Sequence, residues 1–310
     1  MSDLRAEKII TGYQENEIGI SYAFELIAKQ KKKIVIAVLI SIVLAAIYAF
    51  SLPDIYRSIG VYEVVGQGET SSQVKKSGLS SIAGAVGVNL GGGQNNKGDV
   101  IVKTITSKTF LEHLLKFDEV LPSLVAAETF NTSSTSILFD NNIYLASNKT
   151  WNRSVPTVHE AYEIYSKQLL VRQDQADNFI YISFDHISPN FAHYFVTLII
   201  DEVNLILREK SLSEANAALN FLESELTNTF LIELRNSISS LIQKQLEKKM
   251  LADVNKNFAL KPIELPFVEE EKFAPSRAIM LLWYLIGSIV FFCMLAFFWE
   301  ANRSESSHTK

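Results

Sequence analysis

Two uncharged apolar runs near the ends of the chain decide what the rest of it can be. Residues 34–52 (IVIAVLISIVLAAIYAFSL) number 19 and residues 278–299 (AIMLLWYLIGSIVFFCMLAFFW) number 22, and neither run holds an Asp, Glu, Lys, Arg or His. At about 1.5 Å rise per residue, helices of these lengths reach roughly 28 and 33 Å, which matches a hydrocarbon core about 30 Å thick. A buried core helix would be interrupted by more polar residues, and a cleaved signal segment has a shorter leader and a shorter apolar core. The expectation is a two-span membrane protein. Its parts are a leading tail (1–33), a first span (34–52), a large intervening domain (53–277), a second span (278–299) and a closing tail (300–310).

The flanks of the first run orient it. Lys29, Lys31, Lys32 and Lys33 precede it, whereas the twenty residues after it carry only Arg57. Short cytoplasmic flanks are enriched in Lys and Arg. Both termini are therefore expected in the cytoplasm and the 225-residue domain on the other side. The second run is uninformative, with Lys261, Lys272 and Arg277 before it and Arg303 and Lys310 after it. The lysines ahead of the first run are also placed to meet anionic lipid headgroups.

Charge and cysteine content narrow the class. A net charge of −5 argues against a nucleic-acid partner, which selects a basic face. The single cysteine, Cys293, lies inside the second run, so the intervening domain has no internal disulfide and must be held by packing, by self-association or by both.

Within that domain, β-branched and aromatic content predicts strands near 55–65 and 178–186, the latter with strict alternation. A third, near 258–268, carries Pro262 and Pro266, which confine it to an edge or an irregular strand. Ten of the 13 glycines fall between Gly60 and Gly98, and the segment 79–98 predicts a small-residue hairpin or helix end. It lacks the Gly-Lys-Ser/Thr ending and the dinucleotide spacing, so nucleotide binding is not expected. Helices are predicted over 99–117 and 158–170, with a loop at 131–136.

From Asn190 to Lys261 there is neither proline nor glycine, and Pro189 suits a helix start. A continuous helix over 190–251 would be about 93 Å long. Leu212, Ala215, Leu219, Leu222 and Leu226 form a narrow apolar seam along it, followed by a looser stripe of Ile238, Leu241, Ile242, Leu246 and Met250. A seam on so long a helix requires a cover, either an adjacent subunit or a returning segment of the same chain. In the first span Ala37, Ser41, Ala45 and Ala49 recur every four residues. Small residues at that spacing allow close helix approach, here to a bulky helix such as the second span, in the same or a neighbouring subunit.

No residue pattern predicts an active site, a metal site or a cofactor. The five histidines include no HExxH. His186 and His193 are more simply ordinary packed or surface residues than a zinc pair, and no Gly-x-Ser-x-Gly or paired-carboxylate signature is present. The triplet Glu269–Glu270–Glu271 reads as a solvated patch.

The order of features is similar to one family. A Lys-flanked first span ends in Leu52-Pro53 and leads to Tyr56-Arg57-Ser58. Ile82-Ala83-Gly84 through Gly93 leads to Ile105-Thr106-Ser107-Lys108-Thr109-Phe110-Leu111. Then come Ala217-Ala218-Leu219-Asn220-Phe221-Leu222-Glu223, Glu233-Leu234-Arg235, and an approach to the second span bearing Pro262, Pro266 and Pro275. Together these resemble the Wzz-type polysaccharide chain-length determinants, the polysaccharide co-polymerases of Gram-negative inner membranes, and the resemblance covers nearly the whole chain. The prolines are sparser than in that family. Residues 300–310 hold no Walker motif or tyrosine cluster, so the branch carrying a fused kinase is not the one resembled.

The resemblance implies an α+β membrane protein: two transmembrane helices flanking a periplasmic domain with an α/β base and a long extended helix. It implies a ring-like homo-oligomer that sets the length of O-antigen or a related polymer beside a Wzy-type polymerase. It carries over no catalytic residue, metal or cofactor. The alternatives are a two-span sensor or receptor, or a capsule-export component, with a periplasmic binding domain.

Overall fold

The computed structural model describes residues 20–65, 96–131, 133–174, 177–228, 230–269 and 271–307. In chain order the elements are α1 (Ile20–Ser51), β1 (Tyr56–Val64), α2 (Asn96–Ile105), α3 (Lys108–Leu114), α4 (Val120–Val125), β2 (Ala127–Asn131), β3 (Ser136–Phe139), β4 (Tyr144–Leu145), β5 (Thr150–Trp151), α5 (Val158–Gln168), β6 (Leu169–Gln173), β7 (Phe179–His186), α6 (Pro189–Asn228), α7 (Ile232–Val254), β8 (Leu260–Val268) and α8 (Arg277–Ser307). They form two units, one of residues 1–52 with 275–310 and the other of Pro53–Ala274. Most of the small-residue and glycine segment expected at 79–98 lies outside the described residues.

In the first unit α1 packs on α8. Each holds a 20-residue stretch long and apolar enough to cross a membrane, Lys32–Ser51 and Arg277–Ala296. The buried side of α1 is formed by Val38, Ala45 and Ala49, while Val35, Ile36, Leu39, Ile40, Val43 and Leu44 face outward. Arg277 joins the helix ends. Its guanidinium donates to the carbonyl oxygens of Ala49 (3.2 Å) and Leu52 (3.4 Å), acceptors that the end of a helix leaves without partners.

The second unit is built on a four-stranded antiparallel sheet in the order β6-β7-β1-β8. Alternation places Tyr62 and Val64 of β1 and Ile180, Ile182 and Phe184 of β7 on the face covered by helices. Against that face lies the first half of α6, whose Phe191 and Phe195 meet Phe184 with ring centroids 6.3 and 4.6 Å apart. Strand β8 is an edge. Its register against β1 shifts on either side of Val61, within a strand that contains Pro262 and Pro266 and so lacks two ladder donors.

Several elements differ from the sequence-based expectation. The helix expected over 99–117 is two helices, because the Ser107 hydroxyl accepts from Phe110 N and caps α3 afresh. Helix α5 opens on a capping box of Thr157 and Glu160 and stops at Gln168. The next residues, Leu169–Gln173, become an edge strand paired with β7, a choice made by the neighbouring strand rather than by helical periodicity. At the expected loop 131–136, Asn131 and Ser136 end and begin the paired strands β2 and β3, and residues 133–135 form a turn, in keeping with that expectation.

The long helical region over 190–251 is likewise two helices. Helix α6 runs 40 residues, about 60 Å, from a start capped by the Ser188 hydroxyl, which accepts from Phe191 N. The chain then turns around Phe230 and Leu231, and the 23-residue α7 packs back along α6. The return is antiparallel, as the Lys248–Glu214 pair at 3.1 Å requires.

Candidate functional site

The helical hairpin holds the leucine seam read from the sequence, while the small residues of the first span lie in α1 and the three prolines in or after β8. Ala215, Leu219 and Leu222 are buried, and Leu212 and Leu226 are half-buried at the margins of the same stripe. The cover is the returning α7, which contributes buried Ile238 and Ala252 with half-buried Leu241, Ile242 and Gln245. Leu246 and Met250, expected to continue that stripe, instead face outward, Met250 at 66% exposure. The turn toward α6 rotates Gln245 and Ala252 inward at their expense. Two helices bury only the strip between them, so Phe221, Leu234, Leu246, Met250, Leu251 and Val254 remain exposed on the hairpin's outer surfaces.

The tip of the hairpin is more apolar still. Phe230, Leu231 and Ile232 are 93, 71 and 76% exposed. These three consecutive apolar side chains lie where the chain passes from α6 into α7. Single exposed apolar residues are ordinary; a series along both the sides and the tip of one element marks an interaction surface.

Other residues that position the hairpin carry no motif. Asn204 is buried in the middle of α6. Its side-chain oxygen accepts from the backbone N–H groups of Ala259 (2.8 Å) and Leu260 (2.9 Å), and its amide donates to Leu260 O (3.0 Å). One side chain thus fixes the point where the chain leaving α7 re-enters the sheet. The signal was a polar residue at a core-facing position, next to buried Val203 and one turn after buried Ile200.

His186, at the end of β7, is the second such anchor. Its Nε2 donates to Ser123 O (2.9 Å), and its Nδ1 accepts from Ser188 N (3.0 Å), which selects the neutral ring. Burial lowers its pKa to about 4. The histidine is therefore a packed structural group joining α4, β7 and the start of α6, and His193 is exposed. Burial also raises the pKa of the Tyr62 and Tyr165 hydroxyls, the latter donating to Ile105 O at 2.7 Å.

The opposite face of the sheet carries Arg57, whose guanidinium meets the Asp185 carboxylate through two hydrogen bonds of 2.6 and 2.7 Å and stacks on Phe273 at 3.5 Å from the ring centre. Nearby, Ile263, Leu265 and Phe267 of the edge strand are exposed. Pro262 is half-buried and Pro266 buried within β8, where both keep this edge short of donors; Pro275 lies two residues before α8. Of the small residues in α1, Ala45 and Ala49 are buried while Ala37 and Ser41 are half-buried.

Among the described residues no three His, Cys, Asp or Glu side chains are grouped so as to hold a metal ion. Glu269 and Glu271 are exposed. The geometry offers packing surfaces and a helical arm.

No protein-family model matches this sequence, and no curated protein matches it. Among solved structures, the chain is similar to a full-length bacterial polysaccharide co-polymerase, with a TM-score of 0.43 and 10% sequence identity, over 91% of this chain and 97% of that one.

Proposed function

We propose that this protein is a self-associating membrane scaffold that sets the chain length of a surface polysaccharide. It stands in a Gram-negative inner membrane with both termini cytoplasmic and residues 53–277 periplasmic, and it works beside a Wzy-type polymerase on O-antigen or a related polymer. The observation that carries this reading is the helical hairpin, whose outer surfaces and tip expose apolar side chains among the described residues. The order of sequence features, from the Lys-flanked first run to the proline-bearing approach to the second, supports the same reading.

On this reading the protein does no chemistry. Hairpins of neighbouring protomers bury Leu246, Met250 and their neighbours against one another, forming a ring-like homo-oligomer. The assembled surface holds polymerase or growing glycan for a time set by its geometry. The lysines before the first span hold the ring against lipid headgroups.

The test is a gel of surface polysaccharide from a deletion strain, from that strain complemented, and from one complemented with Leu246→Glu and Met250→Glu. Modal bands should collapse to a broad distribution on deletion and return with the native gene. The double variant should restore neither the modal length nor oligomers seen by native mass spectrometry of detergent-extracted protein. Unchanged lengths in the deletion strain would overturn the reading.

A further inference from the structure

A cleft on the second unit has the chemistry of a sugar-binding site. It is an open cleft of about 380 Å³ where four elements meet: Tyr56 at the start of β1, Phe130 in β2, Pro189, Asn190 and His193 in the first turns of α6, and Val268 at the end of β8 with Glu269 just past it. The volume falls in the usual range of small-molecule pockets, about 300–1,000 Å³. Tyr56 and Phe130 are half-buried, held by the sheet and the β2–β3 hairpin, while Asn190, His193 and Glu269 are exposed. The lining thus combines two aromatic side chains and the apolar Pro189 and Val268 with three planar polar side chains.

The combination selects among ligands. A purely apolar ligand would make no use of the donors and acceptors of Asn190, His193 and Glu269. A phosphate or nucleotide would find no Lys or Arg in the lining and would meet the carboxylate of Glu269. A neutral pyranose answers both walls. Its axial C–H bonds present an apolar face to a ring, and its rim of hydroxyls offers donors and acceptors at every edge. Asn190 supplies both a donor and an acceptor, Glu269 two acceptor oxygens, and the His193 ring one nitrogen of each kind when neutral.

We propose that this cleft holds a sugar unit of the growing polysaccharide, in a site formed by Tyr56, Phe130, Asn190, His193 and Glu269. The inference rests on the polysaccharide reading above and adds to it a place where a single protomer touches the polymer. The cleft is open, so a chain enters sideways and one ring seats while its neighbours remain in solvent. Contact is weak at each protomer and gains strength when several copies in an assembly engage one chain.

Saturation-transfer difference NMR tests it, using the full-length protein in detergent. The probe is neutral oligosaccharides released by mild acid hydrolysis from the producing strain's own surface polysaccharide. The native protein should transfer saturation to ring C–H protons. Phe130→Ala and Asn190→Ala should each reduce the transfer at least fivefold, with melting temperature held, while Lys103→Ala, on the exposed side of α2 and away from both cleft and hairpin, leaves it unchanged. Equal transfer to all four proteins, or none to the native one, overturns the site. Polysaccharide long enough to reach several protomers that binds the assembled protein no better than its constituent monosaccharides overturns the assignment to polymer.

The two readings fail separately. Sugar binding lost in Phe130→Ala, in a protein whose deletion leaves polysaccharide length unchanged, removes chain-length control and keeps the site. Length control without sugar transfer removes the site alone.

Discussion

From Phe191 to Asn204, helix α6 buries nine side chains beneath the sheet and its neighbouring helices, whereas from Ser211 to Leu222 it buries four against a single helix. The same helix is thus a core element at one end and half of a two-helix arm at the other. A sheet with helices on its face surrounds each α6 side chain on several sides. A lone antiparallel partner covers one strip and leaves the rest to solvent or to another molecule. Stability should therefore concentrate in the lower half, and surface for association in the upper.

The largest expected effect lies in the lower half. Phe195 is fully buried against Phe184, Phe191 and Tyr165, and Phe195→Ala should destabilise the second unit by about 4 kcal/mol. Thermal or denaturant unfolding of the full-length protein in detergent measures this, and a loss near 1 kcal/mol would mean that the core is less closely packed than described.

Next comes the junction of the two halves. Asn204→Ala leaves two backbone donors and one acceptor without their partner, a loss of about 3 kcal/mol. It should also raise amide exchange at the start of β8 more than at β7. Equal change in both strands would show that Asn204 acts through general packing and not as a clamp.

The pH dependence of the core follows from His186. Its folded pKa, about 4, lies below the ordinary histidine value of 6.5, so the unfolded chain binds the proton more tightly. This contribution to stability is complete above pH 6.5 and falls as pH drops toward 4, by about 3 kcal/mol in all. Unfolding midpoints followed from pH 7 to 4 should decline, and His186→Gln should flatten that slope. An unchanged slope in the variant would assign the acid sensitivity elsewhere.

In the upper half the effects shrink. Leu222→Ala should cost about 2 kcal/mol, because the site is buried against one helix and can partly collapse. Leu246→Ala, on the exposed face, should change monomer stability by less than about 0.5 kcal/mol, and so should loss of the Lys248–Glu214 pair, both of whose side chains are well exposed. A large destabilisation from Leu246→Ala in a purified monomer would contradict the division between core and arm.

Some of this was legible residue by residue. The alternation from Phe179 to His186 reads as a strand because one side of it meets a core, and the absence of charge in the two terminal runs reads as helices suited to lipid. Pro262 and Pro266 confine their strand to an edge because proline donates no ladder hydrogen bond. Pro189 marks a helix start because its fixed φ and missing donor are tolerated there alone. Other features had no local cause. Leu169–Gln173 continues the composition of α5, yet pairs with β7. The turn at Phe230 and Leu231 contains neither proline nor glycine among its described residues, and Leu231 enters α7 from an extended conformation without a side-chain cap.

Residue order alone accounts for the two apolar helices, the alternation of β7, the restriction of β8 to an edge or irregular strand and the presence of a seam in need of a partner. These depend on the chemistry of a residue and its near neighbours, which the order of amino acids states directly. Folding in three dimensions settles that the seam's partner is the same chain returning, that Gln245 and Ala252 face inward in place of Leu246 and Met250, that Asn204 clasps the start of β8, and that Tyr56, Phe130, Asn190, His193 and Glu269 meet around one cleft. Such juxtapositions join residues from 34 to more than two hundred positions apart, and they are selected by the burial of surfaces that exist only once the elements have formed.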